Sequence, residues 1–234
     1  MTSVLCNKKP APPVPVRSET LTEQAYNRLE EMIVTLRLAP GAVLSEQTLA
    51  NALGIGRTPI REALQRLVHE GLVVVLPRKA IIVTDTDPQR QLLVLEVRRE
   101  LERLLARASA ERATPAERRN FMAIAEGMEA AARSRDDIAF LRWDRELNAL
   151  LAHAAHNEYA SRSMRYLNGH SRRFWYLHYK QAADLPKCAR LHAEEARAIA
   201  KSNPARAMAA SDKLIDYVET FTRTTALRPR SPLA

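Results

Sequence analysis

Cysteine is nearly absent: the chain has two in 234 residues, Cys6 and Cys188. They supply neither a disulfide framework nor zinc-ligand spacing, so reduced thiols in a cytoplasm are expected. No apolar run approaches the roughly 20 residues that span a bilayer. The N-terminal KKPAPPVPV is proline-rich and is no apolar signal core, so residues 1–16 read as a disordered tail. Nucleophile elbow, HExxH and phosphate loop are all missing, which removes the usual starting points for catalysis. The net charge of +9 invites a nucleic-acid partner, but its placement matters more than its size. Residues 17–84 hold 8 Lys+Arg against 7 Asp+Glu, a balance of only +1, while residues 85–234 carry +6.

What the chain does have is LSEQTLANALGIGRTPIREALQRLVHEG, Leu44 to Gly71. Leu49, Ala50 and Leu53 fall on one helical face. Gly54 can take positive φ and stop that helix. Thr58 reads as the N-cap of the next helix, with Pro59 at its first position. Ile60, Leu64, Leu67 and Val68 then turn inward. Arg57, Thr58 and Arg61 are left around the exposed helix start. This is a helix-turn-helix, whose second helix presents its first turn to the major groove. LVVVL and AIIVT follow as two strands around a basic tip of Pro77, Arg78 and Lys79, which makes a wing. Ahead of it, residues 20–38 predict an amphipathic helix with Leu21, Ala25, Leu29, Met32, Ile33 and Leu36 inward, closed by the turn Ala39 to Gly41.

With Tyr26 and LRLAPGAVLSEQTLANALGIGRTPIREALQRLVHEGLV together, residues 20–84 resemble the DNA-binding domain of GntR-family transcriptional regulators. The resemblance implies DNA contacts from Arg57, Thr58 and Arg61, with more from the preceding helix and the wing: Gln47, where the family often has arginine, and Arg78 and Lys79. It also implies a homodimer on palindromic operator DNA. One recognition helix reads only a few base pairs, so useful specificity needs two.

Asp85 to Pro88 reads as a linker. Beyond it, residues 89–226 predict six helices. They start near Gln89, at the Thr114–Pro115 cap pair, at Asp136 or Asp137, at Asn157, at Pro186 and at the Asn203–Pro204 pair. The fourth is expected to bend near Gly169. No strand-like alternation occurs, so this half is an antiparallel helix bundle, and residues 227–234 read as a second disordered tail. The fold class is therefore mainly α, a winged helix-turn-helix followed by an all-α bundle.

EVRRELERLLARASA, WDRELNALLAHAAHNEYA and LHAEEARAIAKSNPARA resemble the FCD effector domain of FadR-like GntR regulators. That resemblance implies a central pocket in which many members hold an organic acid on a divalent metal. Asp144 and His192 match two of the family's ligands. The other two histidines fall on Asn148 and about Leu214, so the ligand set is incomplete. A small carboxylate bound near Asp144, Asn148 and His192 without a tightly held metal is expected, with Arg98 pairing its charge. Arg172 or Arg173, beside the aromatic run Phe174 to Tyr179, offer further positive charge. The sequence thus predicts a ligand-responsive transcriptional regulator that is not an enzyme. Two other readings stay open: an effector-free architectural DNA-binding protein, and a metal-dependent enzyme built on Asp144, Glu146 and His192.

Overall fold

The computed structural model describes residues 19–76 and 80–227. Helix α1 (Leu21–Val34) is fixed at its start by a reciprocal capping box between Thr20 and Glu23. It buries Ala25, Leu29 and Ile33 as expected. Leu21, at the helix start, is exposed, and Leu36 lies past the helix end with φ 60°. Strand β1 (Val43–Leu44) follows, then α2 (Glu46–Leu53), capped by Ser45 and ended by Gly54 at φ 64°. Helix α3 (Arg57–His69) begins earlier than Thr58: its N-cap is Gly56, without a side-chain bond, and Thr58 and Pro59 sit in its first turn. Strands β2 (Val73–Leu76) and β3 (Ala80–Val83) pair antiparallel, with Val73 opposite Val83. β1 joins β3 on its other side to give the order β1-β3-β2. A two-residue strand has no alternation to read, so only the sheet reveals it. Arg78 and Lys79, at the wing tip, lie outside the described residues.

The six remaining helices are α4 (Pro88–Arg112), α5 (Pro115–Ser134), α6 (Asp137–Ala154), α7 (Glu158–Ala182), α8 (Leu185–Ala200) and α9 (Pro204–Ala226). Asp87, Thr114, Asp136, Asn157, Asp184 and Asn203 cap their starts with side-chain oxygens. α4 packs along α9 and α5 along α8, and both α8 and α9 lie against each other. α7 runs unbroken through Gly169, where a bend was expected. The glycine serves a close approach instead: a Cβ there would stand 2.6 Å from Leu72 Cδ1 of the winged half.

One turn of α7 grips that half at several points. His170 Nε2 is 3.0 Å from the Glu70 carbonyl. Arg172 donates to Glu30. Arg173, fully buried, donates to the carbonyls of Thr84 (2.7 Å) and Asp85 (3.1 Å). Burial lowers the Arg173 pKa to about 10, still far above neutrality. Val34 of α1 meanwhile enters the bundle's aromatic core with Phe140, Phe174, Trp175 and Phe221. Apolar packing and charge pairing thus fasten the two halves along the same seam.

Candidate functional site

The first site is the start of α3. Arg57 and Arg61 have side chains 59% and 53% exposed, so both are open to a partner. Thr58 is exposed beside them. With Gly56 as N-cap, no side chain among the described residues satisfies the first-turn N–H groups, which leaves them ready to donate to a phosphate oxygen. Glu46, in the first turn of α2, holds the arginines back. Arg61 donates to it twice, Nε to Oε1 at 3.1 Å and Nη2 to Oε2 at 3.0 Å, and Arg57 Nη2 lies 3.9 Å from Oε2. The Arg61 hydrogen bond holds the Glu46 carboxyl below its ordinary range. Sequence reading missed Glu46, because nothing in the spacing of α2 shows which residues of α3 it will face. Gln47 is exposed next to it and donates to Asn51 at 2.9 Å.

The second site is a cavity of about 40 Å³ inside the bundle. α4 gives it Arg98 and Glu102, α6 gives Phe140 and Asp144, α7 gives Arg172 and Trp175, α8 gives His192 and α9 gives Leu214. At about 10–15 Å³ per ordered water this is room for about three waters or a small carboxylate head. Arg98, Asp144, Arg172 and His192 are brought together as the sequence suggested. Asn148 is not among the lining residues; it faces the cleft between the two halves, and its amide donates to the Asp144 carbonyl (2.8 Å) and Oδ1 (3.0 Å). Arg173 turns away to the linker. Sequence periodicity gave these residues no register relative to other helices, so it could not separate Arg172 from Arg173.

The charges in this cavity are buried and paired. His192 Nε2 lies 3.3 Å from Asp144 Oδ1, and its Nδ1 lies 2.8 Å from the Cys188 carbonyl. With Nδ1 against a carbonyl and Nε2 facing a carboxylate, the surroundings favour the imidazolium. Burial opposes that charge, but Cys188 and Asp144 outweigh it and raise the His192 pKa well above its ordinary value. Burial pushes the Asp144 carboxyl up, while the His192 hydrogen bond and the charges of His192, Arg172 and Arg98 win and hold it low. Arg98 is bound to Glu102 rather than left free. Glu195, behind them, is pushed up to about 8 by burial and by Glu102. Among the described residues, Trp175 Nε1 is buried without a hydrogen-bond partner. Arg172 Nε sits 3.0 Å from Asp144 Oδ2 but out of line for a hydrogen bond.

These donors do not fit a divalent cation. Asp144 and His192 are already joined to each other, Asn148 turns its N–H donors toward Asp144, and Leu214 is hydrocarbon. The Arg172 guanidinium holds the place beside Asp144 that a cation would need. Among the described residues no three His, Cys, Asp or Glu side chains converge.

Two family models match the chain: "Bacterial regulatory proteins, gntR family" over residues 21–83, and "FCD domain" over residues 93–217. An HTH-type transcriptional regulator in an unstable DNA locus of Streptomyces ambofaciens is 51% identical over 65 residues, 28% of each chain. The HTH-type transcriptional regulator McbR of Escherichia coli (strain K12) is 35% identical over 96 residues, 41% of this chain and 43% of McbR. The alignments span from 28% to 65% of the length of the first three curated relatives. The solved E. coli McbR/YncC superposes with a TM-score of 0.74 at 21% identity, covering 88% of this chain and 98% of that one, so the two share a fold over that span. With the winged half and the helical half each matched by its own model, the chain belongs to the gntR family of bacterial regulatory proteins and carries an FCD domain.

Proposed function

We propose that the protein is a cytoplasmic transcriptional regulator that binds palindromic operator DNA as a homodimer and responds to a small carboxylate held in the bundle. The observation that carries the DNA half is the α3 start, where Arg57, Thr58 and Arg61 surround an uncapped helix terminus. Glu46 keeps the two arginines extended and gives them up to a phosphate or a guanine edge, since an exposed ion pair is cheap to break. The effector half rests on the buried meeting of Arg98, Arg172, His192 and the Trp175 N–H. Asn148 acts there by positioning Asp144 rather than by touching the ligand. The bundle carries the dimer, since Leu93 and Val97 on α4 and Tyr159 and Tyr166 on α7 are large apolar side chains left 50% to 74% exposed.

Selection of binding sites from a random duplex pool, followed by gel shift with a panel of small carboxylates, tests this reading. An enriched inverted repeat and an acid that changes its affinity are expected. Enrichment with no response to any acid supports the effector-free architectural reading, which the small volume of the cavity keeps in play. No enrichment at all removes both.

A further inference from the structure

Arg172 borders two spaces at once. It lines the 40 Å³ cavity in the bundle and also the open cleft of about 830 Å³ between the two halves, where Tyr26, Glu30 and Arg66 form the opposite wall. Its guanidinium is shared among three acceptors from two parts of the chain. Nη1 donates to Glu30 of α1, Nη2 donates to the Leu141 carbonyl at 2.8 Å, and Nε faces Asp144 Oδ2 at 3.0 Å. Glu30 is 3% exposed, and its second oxygen has no hydrogen-bond partner among the described residues. Arg172 is therefore the one hydrogen-bonding group described for that carboxylate.

We propose that Arg172 couples the bundle cavity to the DNA-binding half: a carboxylate entering the cavity competes with Glu30 for the guanidinium and loosens α1 from α7. The inference rests on the carboxylate reading above and adds the route by which binding is felt. A buried carboxylate that loses its partner is costly, so Glu30 does not stay in place once Arg172 is drawn away. Water in the neighbouring cleft offers the alternative partner, and reaching it moves α1. That motion arrives at the recognition helix by packing. α1 lies against α3, Tyr26 one turn before Glu30 donates to Glu70 at 2.7 Å, and the Arg66 guanidinium of α3 stacks 3.5 Å above the Tyr26 ring. α1 is held to the bundle by Val34 and by Arg142 on Glu31 as well, and three anchors outside α1 do not touch the cavity: Leu72 against Gly169, His170 on Glu70, and Arg173 on Thr84 and Asp85. They keep the halves attached while α1 shifts, so the ligand selects between two arrangements of one molecule.

Acetate, the simplest carboxylate that fits the space, is the probe, with chloride at matched ionic strength as control. The Trp175 indole N–H signal in NMR reports the cavity, and amide hydrogen exchange over residues 21–34 reports α1. In the wild-type chain acetate moves the indole signal and speeds α1 exchange roughly 5-fold or more, the lower range of allosteric coupling. In Glu30→Gln the indole signal still moves and α1 exchange no longer responds. If that variant fails to fold, Glu30→Asp keeps the charge one methylene short of Arg172 and gives the same separation. An indole shift with no α1 response in wild type, or an α1 response that survives in both variants, overturns the coupling and leaves the pocket standing. An indole signal that ignores acetate overturns the carboxylate reading, and the coupling falls with it.

Discussion

Two arginine–carboxylate pairs do opposite work in this molecule. At the α3 start, Arg61 and Glu46 meet in solvent, and the arginine side chain is 53% exposed. At the domain junction, Arg172 meets Glu30 with both side chains under 10% exposed. The chemistry of the two pairs is the same and the dielectric is not. Water solvates either partner of the first pair when the other leaves, so the pair contributes little and its arginine is free to change partners. Glu30 is buried and must move to reach the water of the neighbouring cleft, so breaking the second pair strands a charge and forces a rearrangement.

The sharpest way to break this comparison is to delete both arginines and compare stability. Arg172→Met should cost about 3–5 kcal/mol in urea unfolding, since it leaves the buried Glu30 without its hydrogen-bonding partner. Arg61→Ala should leave the urea midpoint near that of wild type. Equal losses in the two variants would mean that burial does not separate the pairs. The order reverses for DNA: Arg57→Ala and Arg61→Ala should each weaken operator binding about 5- to 150-fold by gel shift, the range for a lost base contact. Unchanged operator affinity in both folded variants would remove α3 as the reading element.

The buried cluster also makes a prediction in pH. Glu195 is raised from an ordinary 4.5 to about 8 by burial first and Glu102 second. A raised carboxyl stabilises the fold fully below its unfolded pKa and loses that contribution as pH climbs through the folded value. Stability should therefore decline between about 4.5 and 8 on account of this group. Glu195→Gln should flatten that slope and raise Tm at pH 8; a slope identical to wild type would show Glu195 ionised throughout. The smallest effect belongs to Glu46→Gln. Freeing Arg57 and Arg61 from their carboxylate should tighten operator binding a few-fold at low salt and fade as salt screens the charges. Weaker binding would mean that Glu46 orders the arginines more than it competes for them.

Local chemistry was legible wherever a residue acts on its own neighbours. The Thr114–Pro115 cap pair, the helix starts at Asp136, Asn157 and Asn203 and the Gly54 stop all stand where the sequence put them, with Asp136 rather than Asp137 as the cap. The α3 cap did not, because Gly56 caps without a side chain and Thr58 looked the better donor of one. Asn148 lay four residues from Asp144 and so seemed to share its pocket. On a helix that spacing also lets one side chain hold the other, and that is what Asn148 does.

The sequence by itself determined the helices, the two wing strands, their order and the exposed arginines of α3, because hydrophobic period, caps and helix ends act within a few residues. Only the tertiary structure decided which polar residues are buried together. Glu30 looks like any charged residue on an amphipathic helix until α7 closes over it, and Gly169 looks like a bend until Leu72 arrives beside it. Those assignments depend on surfaces more than 90 residues away in the chain. No periodicity carries that information, because what decides burial is the neighbour that packing supplies.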